Sequence, residues 1–318
     1  MHERSINKNM KILISSASFG KINMEPIKTL EDSGLKPLLN PYGRKLEFSE
    51  FVELIRDAVG LIAGTEKITA ELLENAPMLK VISRYGVGLD NIDLEAAKKM
   101  GIIVRSTPEA PSQAVAELAL ALILDISRRI SEADRNLRNN NWTQLMGKLI
   151  SGKTLGIIGL GRIGKKLVKL VQPFEMKIYA FEPYPDKDFV LSNNITVVPL
   201  DEVLKVSDII SLHLPLSDKT FHMISKKKLS LMKKDAIIIN TSRGGLVDES
   251  ALVEALKNSM IGGAAIDTFE KEPYRGALTG LDNVILTCHM GSAAQETRKE
   301  MEIETVNNLL DALKEAGI

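Results

Sequence analysis

Short hydrophobic runs alternate with amphipathic stretches along most of the chain. From Met10 onward, the first apolar runs are KILISS, PLLN, VGLIAG, KVISRYG and GIIVRS. The stretches between them carry apolar residues at helical spacing, as in FSEFVELIRD. Such an alternation is typical of a parallel sheet covered by helices on both faces. The pattern therefore predicts a first α/β domain with five strand–helix units.

A longer helical segment is predicted next, from about Ser112 to Asn139, after the breaker-rich stretch TPEAPS. We interpret this segment as a bridge into a second domain. A second alternation follows, with the apolar runs TLGIIG, KIYAFE, ITVVP, IISLHLP, AIIINTS, GGAAIDTF and VILTCH. A final helix is predicted for residues 293–316. The chain is therefore expected to form two α/β domains.

Charge and composition exclude several classes of partner. The 41 Lys and Arg residues balance the 41 Asp and Glu residues, so no overall field attracts nucleic acid or an anionic membrane. The single cysteine, Cys288, cannot form an intramolecular disulfide. The first residues, MHERSINKNM, lack the apolar core of a signal peptide. We expect a cytoplasmic protein with a frayed tail before Met10 and with no nucleic-acid, membrane or metal partner.

The stretch GLGRIGKK, residues 159–166, has two interpretations. As G-x-G-x-x-G it binds a dinucleotide pyrophosphate, and as G-x-x-x-x-G-K it nearly matches the loop that binds a nucleoside triphosphate. The triphosphate loop needs Ser or Thr where Lys166 stands, whereas the strand–turn–helix context suits a dinucleotide. We therefore predict dinucleotide binding, with Gly159 at the tight turn, Gly161 at the phosphates and Gly164 at the helix–strand contact.

Glu182 ends the predicted strand KIYAFE, 18 residues past Gly164. An acidic residue at this position is expected to accept hydrogen bonds from the adenosine ribose. A carboxylate there would repel the 2′-phosphate of NADP by up to ~4 kcal/mol for unit charges 4 Å apart. The sequence therefore favours NAD as the cofactor. The alternative is that Glu182 is only a charged strand end.

Three polar residues follow predicted strands of the second domain: Arg243, Glu272 and His289. Ligands of an open parallel sheet bind beyond the carboxyl ends of its strands. A histidine beside a carboxylate can give a proton to a carbonyl oxygen while a hydride reaches the carbon, and arginine suits a substrate carboxylate. Each residue alone also has a structural interpretation. Only their combination with a dinucleotide motif indicates an oxidoreductase.

The chain resembles the D-isomer-specific 2-hydroxyacid dehydrogenases. The matching stretches are KVISRYGVGLDNID, GKTLGIIGLGRIGKKL, SLHLPL, INTSRGGLVDE, GGAAIDTFEKEP and LTCHMGSAAQET. They occur in the family's order between about Lys80 and Thr297, so the resemblance covers most of the chain. It implies an NAD-dependent enzyme that interconverts a 2-hydroxy acid and its 2-oxo acid.

The resemblance also implies a role for individual residues. Arg243 would bind the substrate carboxylate and polarise the oxo group, and Glu272 would support His289 as the general acid/base. Substrate contacts are implied for Arg84, Val87 and Gly88. Cofactor contacts beyond the three glycines and Glu182 are implied for Arg162, Ile163, His213, Pro215, Thr241, Ser242, Asp267 and Gly291. His213 has the alternative interpretation of a structural strand histidine.

The resemblance extends to topology and assembly. It implies a Rossmann NAD-binding domain, residues 108–290, inserted in a flavodoxin-like substrate domain formed by residues 1–107 and 291–318. Both domains are expected to have doubly wound parallel sheets. The segment around residues 112–147 would pack against a second copy, so a homodimer is expected.

Two departures from the family pattern leave the substrate open. Cys288 stands where proline is common, and we interpret it as a buried, inert thiol, with a reactive thiol as the alternative. Arginines that phosphoglycerate-specific members often carry are missing from AGTEKIT and from NNWTQLMG. The activity is therefore either phosphoglycerate dehydrogenase-like or hydroxypyruvate/glyoxylate reductase-like. An NAD(H)-sensing, corepressor-like binding protein is the alternative from another class, and a formate dehydrogenase would carry Gln at Glu272.

Overall fold

The structure is a computed structural model that describes residues 10–318. The predicted tail, residues 1–9, lies outside the described residues. The chain divides into two compact units: the first runs to Pro111 and includes Ala293–Ile318, and the second is Ser112–Ser292. Each unit contains one parallel sheet with helices, which confirms the predicted α/β fold class.

The first unit contains a five-stranded parallel sheet. Its strands are β1 (Lys11–Ile14), β2 (Lys36–Leu39), β3 (Ala58–Ala63), β4 (Val81–Arg84) and β5 (Ile103–Ser106). Its helices are α1 (Glu25–Asp32), α2 (Phe48–Ile55), α3 (Ala70–Glu74), α4 (Leu94–Lys99) and α12 (Gln295–Glu315). The strand order β2-β1-β3-β4-β5 is that of flavodoxin-like folds.

The C-terminal helix α12 packs on the sheet of the first unit. A Cβ on Gly60 would lie 3.0 Å from a methyl group of Leu309, so the helix approaches β3 at a position without a side chain. The hydroxyl of Ser83 on β4 donates to the carbonyl of Thr305 at 2.8 Å. All six residues of β3 are buried, because α1 and α12 cover one face and α2, α3 and α4 cover the other.

The second unit contains a seven-stranded parallel sheet in the order β12-β11-β10-β9-β6-β7-β8. Its strands are β6 (Thr154–Ile158), β7 (Lys177–Phe181), β8 (Thr196–Val197), β9 (Ile209–Leu212), β10 (Ile237–Asn240), β11 (Gly263–Ile266) and β12 (Val284–Leu286). Its helices are α5 (Pro111–Arg128), α6 (Ile130–Arg138), α7 (Arg162–Val171), α8 (Lys187–Ser192), α9 (Leu200–Val206), α10 (Lys226–Leu229) and α11 (Glu249–Lys257). The order reverses between β6 and β9, as in the Rossmann fold, and cofactors bind at such a switch point.

The helical segment predicted after TPEAPS is divided into two helices. Arg129 adopts a left-handed conformation with φ +56°, which ends α5. The carboxylate of Asp125 accepts hydrogen bonds from the amide, at 2.8 Å, and the hydroxyl of Ser131. This contact satisfies an amide at the start of α6, so the chain gains a second helix start where apolar spacing alone indicated continuity.

Among residues 10–318, no helix is both long and apolar enough to cross a membrane. The same residues contain no group of three or more His, Cys, Asp or Glu side chains arranged to hold a metal ion.

Candidate active site

The glycine-rich turn after β6 has little room for side chains at two of its three glycines. Gly159 has φ +97°, and a Cβ there would lie 2.7 Å from the carbonyl oxygen of His213. A Cβ on Gly164 would lie 2.4 Å from the carbonyl oxygen of Gly159. A Cβ on Gly161 would meet nothing within 4 Å. Gly159 and Gly164 are therefore required by packing, whereas the space beside Gly161 is open to a ligand.

Helix α7 begins directly at this open space. Its N-cap is Gly161, no side chain caps its first turn, and no acidic residue lies there. The first backbone amides of a helix lack intrahelical partners and carry the positive end of its dipole. Arg162 is exposed and Ile163 is partly buried in this turn. The arrangement provides donors for an anionic group such as a pyrophosphate.

Glu182 directly follows β7 and faces the glycine turn. Its Oε2 accepts the amide of Leu160 at 3.0 Å, and its Oε1 accepts the amide of Tyr184 at 3.1 Å. These two bonds fix the carboxylate in place. Each oxygen keeps a second lone pair, so Glu182 can still accept hydrogen bonds from ribose hydroxyls.

The loops after β9 and β10 hold the other predicted cofactor residues. Nε2 of His213 lies 2.9 Å from the Ser211 hydroxyl, and burial lowers the pKa of His213 to about 4, so its ring is neutral near pH 7. The buried Thr241 hydroxyl has no hydrogen-bond partner among residues 10–318. The Ser242 hydroxyl donates to the Leu214 carbonyl. Nearby, Pro215 is exposed.

Asp267 follows β11 and is fully buried. Its carboxylate accepts three hydrogen bonds: from the Thr287 hydroxyl at 2.6 Å, the Met290 amide at 2.8 Å and the Gly291 amide at 3.0 Å. Sequence reasoning assigned Asp267 and Gly291 to the cofactor and missed their contact with each other. The carboxylate holds the turn on which His289 lies.

His289 lies on that turn with φ +52°. Its Nδ1 lies 2.9 Å from Oε2 and 3.1 Å from Oε1 of Glu272. The side chain of His289 is 41% exposed and that of Glu272 is 32% exposed. A carboxylate on Nδ1 holds a proton on that nitrogen in the neutral ring. Nε2 is then the nitrogen available to a reacting group.

Arg243 lies on the loop that follows β10. The side-chain amide of Asn240 donates to the Arg243 carbonyl at 2.9 Å, and Nη1 of Arg243 donates to the Ser242 carbonyl at 2.8 Å. Strands β10, β11 and β12 are adjacent and parallel, so the loops that carry Arg243, Glu272 and His289 leave the same edge of the sheet. The structure brings His289 and Glu272 into contact and places Arg243 on a neighbouring loop.

Cys288 is exposed, so its interpretation as a buried thiol is wrong. It lies beyond β12, which is the edge strand of the sheet. Asp267 accepts hydrogen bonds from the backbone amides of the residues that follow, Met290 and Gly291.

The predicted substrate residues of the first unit lie at the end of β4 and in the turn after it. Gly86 has φ +143°, its amide donates to the Thr107 hydroxyl at 2.9 Å, and its carbonyl accepts the Thr107 amide at 3.0 Å. Val87 is exposed and Gly88 is partly buried. Arg84 is buried and donates to the Tyr85 carbonyl beside this turn. The structure thus presents the turn at Val87 and Gly88 while Arg84 lies inside the unit.

Comparison with known proteins gives consistent matches. The sequence profile described as "D-isomer specific 2-hydroxyacid dehydrogenase, NAD binding domain" matches residues 120–291. The glyoxylate reductase of Thermococcus litoralis is 45% identical over 270 residues, which cover 81% of this chain and 82% of that enzyme. The D-3-phosphoglycerate dehydrogenase of Methanocaldococcus jannaschii is 43% identical over 296 residues, 91% of this chain but only 55% of that enzyme.

A solved structure covers nearly the whole chain. The TT0316 protein of Thermus thermophilus superimposes with a TM-score of 0.87 at 36% identity and covers 96% of this chain and 97% of its own. The glycine turn, the fixed Glu182 and the His289–Glu272 pair agree with these matches. The chain therefore belongs to the D-isomer-specific 2-hydroxyacid dehydrogenase family and is an NAD-dependent oxidoreductase acting on CH–OH groups.

Proposed function

We propose that the protein reduces a small, unphosphorylated 2-oxo acid, such as glyoxylate or hydroxypyruvate, to the D-2-hydroxy acid. The observation that carries this proposal is the 2.9 Å contact between Nδ1 of His289 and Glu272 at the carboxyl edge of the NAD-binding sheet. The likeness to a glyoxylate reductase over most of both chains supports the substrate class.

The residues of the second unit suit NAD. Gly161 leaves open space at the start of α7, Glu182 offers fixed acceptors, and Thr241 has a buried hydroxyl without a partner among residues 10–318. We propose that these residues hold the pyrophosphate, the adenosine ribose and the nicotinamide end, in that order. When bound, NADH supplies the hydride that adds to the carbonyl carbon.

The remaining chemistry falls to the side chains of the protein. We propose that Nε2 of His289 donates a proton to the carbonyl oxygen, and that Glu272 stabilises the imidazolium before transfer. The guanidinium of Arg243 binds the substrate carboxylate and polarises the oxo group. Val87 and Gly88, through their backbone amides, and Arg84 are the proposed substrate-binding residues of the first unit.

The loop AGTEKIT supports an unphosphorylated substrate. Glu66 in this loop is only 8% exposed, and its Oε2 accepts the Ser15 hydroxyl at 3.1 Å. A carboxylate held at the carboxyl edge of the first sheet disfavours a dianionic phosphate by like-charge repulsion. Discrimination against the phosphorylated acid is therefore part of the proposal.

The proposal is tested by following NADH loss with purified protein and a panel of 2-oxo acids. The panel contains glyoxylate, hydroxypyruvate, pyruvate, phosphohydroxypyruvate and a branched 2-oxo acid. We expect the highest kcat/KM for glyoxylate or hydroxypyruvate. A preference for phosphohydroxypyruvate would overturn the substrate assignment, and tight NADH binding without turnover of any acid would indicate a sensor.

We also propose a homodimer, and that residues 108–290 act as the NAD-binding domain while the rest of the chain binds substrate. The segment after α6 exposes large apolar side chains: Trp142 is 89% exposed, Met146 is 83% exposed and Leu149 is 69% exposed. Apolar groups concentrated on one segment are typical of a protein interface.

A further inference from the structure

Two glutamates outside the predicted site exchange hydrogen bonds with each other's backbone. The amide of Glu270 donates to Oε1 of Glu249 at 2.6 Å, and the amide of Glu249 donates to Oε1 of Glu270 at 3.2 Å. Glu249 is the first residue of α11, where amides have no partner within the helix. This pair, which we call the Glu249–Glu270 bracket, joins the loop after β11 to the start of α11.

A histidine from a third loop contacts the bracket. Nε2 of His222 lies 2.9 Å from Oε1 of Glu270, and the His222 amide donates to the carbonyl of Gly245 at 2.7 Å. The ring of Phe221 stacks on the imidazole with 3.9 Å between centroids. The loops that follow β9, β10 and β11 therefore meet at Glu270.

The bracket lies on the same loop as Glu272. The amide of Phe269 donates to Oε1 of Glu272 at 3.2 Å, and Glu270 and Lys271 stand between these two residues in the chain. A Cβ on Gly244 would lie 1.9 Å from the carbonyl carbon of Phe269, so this loop packs on the backbone next to Arg243. A shift of the loop would move the carboxylate that contacts His289.

The bracket places the carboxylates of Glu249 and Glu270 near each other and near Glu272, and their repulsion lowers the stability of the folded state. Burial raises the pKa of Glu249, and the charges of Glu270 and Glu272 raise it further, although the Glu270 amide and His222 act in the opposite direction. Neutral side chains could join the same loops without this repulsion.

We propose that the Glu249–Glu270 bracket, with His222, positions Glu272 against Nδ1 of His289 and so fixes the tautomer and orientation of the proton donor. Glu249, Glu270 and His222 are thus positioning residues that act through Glu272. This inference rests on the proposed function, because it assigns the bracket to the proton-transfer step of that reaction.

The test compares alanine and glutamine at both positions of the bracket. Glu249→Ala and Glu270→Ala each remove an acceptor of a backbone amide, whereas Glu249→Gln and Glu270→Gln keep an acceptor oxygen and remove the charge. Glu254→Ala is the matched control, because Glu254 lies on the same helix and pairs at the surface with Lys226 at 2.6 Å. His222→Ala leaves both amide contacts in place and replaces Glu249→Ala or Glu270→Ala in the test if either of these does not fold.

The first readout is the ring-nitrogen NMR spectrum of the neutral histidines, which does not depend on turnover. The chain contains four histidines, and His289→Asn assigns the signal of His289. We expect the proton on Nδ1 in the wild type, in the control and in both glutamine variants. The alanine variants should move it toward Nε2, because Glu272 no longer holds Nδ1.

The second readout is the kinetics of 2-oxo acid reduction. In the alanine variants kcat should fall about 10-fold, part of the general acid–base contribution, with unchanged NADH affinity and restoration by glutamine. Alanine variants that fold and keep both the Nδ1 tautomer and the wild-type kcat would overturn the bracket. A wild type that reduces none of the 2-oxo acids, with the tautomer change still present, would overturn the proposed function and leave the bracket standing.

Discussion

At the scale of the residue, His289 has one ring nitrogen committed to Glu272 and the other left for a reacting group. Its backbone is left-handed, with φ +52°, a conformation that residues other than glycine rarely adopt. The three hydrogen bonds that Asp267 accepts from the same turn offset that cost. These bonds therefore maintain the turn that carries His289.

Glu182 leads to a prediction about cofactor choice. We expect NADH to be preferred over NADPH, because the fixed carboxylate repels a 2′-phosphate. In Glu182→Ala, the kcat/KM for NADH divided by that for NADPH should fall at least about 10-fold. Asp186→Asn is the matched control, since Asp186 caps α8 and asparagine can also cap a helix. A wild type that uses both cofactors equally well would contradict the assignment.

At the scale of the element, α12 carries a carboxylate into the core of the first unit. Glu302 is fully buried, and its Oε1 accepts the amide of Gly20 at 3.0 Å, with the hydroxyl of Tyr85 at 3.5 Å. Burial raises its pKa above the ordinary carboxyl range, and the Gly20 amide and the Tyr85 hydroxyl offset this only in part. The helix therefore carries an electrostatic cost that depends on pH.

The sign of this dependence follows from the raised pKa. Folded protein binds the Glu302 proton more tightly than unfolded protein does. The stability that protonated Glu302 contributes is therefore fully present below the ordinary carboxyl pKa, and it is lost as pH rises through the raised pKa of the folded state. Glu302→Gln, which keeps an acceptor, should raise Tm at about pH 8 and much less at about pH 4. Glu300→Gln on the exposed face of α12 is the control, and an equal gain at both pH values would refute this account.

At the scale of the whole molecule, the segment after α6 leads to a prediction about assembly. The chain of 35.0 kDa should sediment as a species of twice that mass. Trp142→Asp combined with Leu149→Asp should shift it toward the monomer, because the charges would be buried at the interface. Leu191→Asp is the control, since Leu191 is 76% exposed on α8, outside this segment. A monomeric wild type would refute the proposed homodimer.

The strands could be predicted from the sequence, because buried parallel strands leave continuous apolar runs. Every strand of both sheets falls within or beside a predicted run. The break at Arg129 could not be predicted from apolar spacing, since it depends on a contact between Asp125 and Ser131. The helical periodicity of the sequence continues from Asp125 through Ser131 and does not indicate the break.

The site shows the same division between local and tertiary information. The three glycines and Glu182 could be located from the spacing of a short motif. His289 could be located from its place after a predicted strand and from the family resemblance. The Glu249–Glu270 bracket joins residues 21 positions apart, and it exists only because β10 and β11 are neighbours in the sheet. The exposure of Cys288 likewise follows from the edge position of β12, which apolar pattern does not reveal.

The central claim is that His289 donates the proton during NADH-dependent reduction of a 2-oxo acid. Its most direct test measures single-turnover reduction of hydroxypyruvate by wild type and by His289→Asn, with NADH affinity measured in parallel and the product's chirality determined. We predict D-glycerate from the wild type and a rate about 10²-fold lower or more in the variant, with NADH affinity retained. Formation of L-glycerate, or an unchanged rate in the variant, would contradict the account.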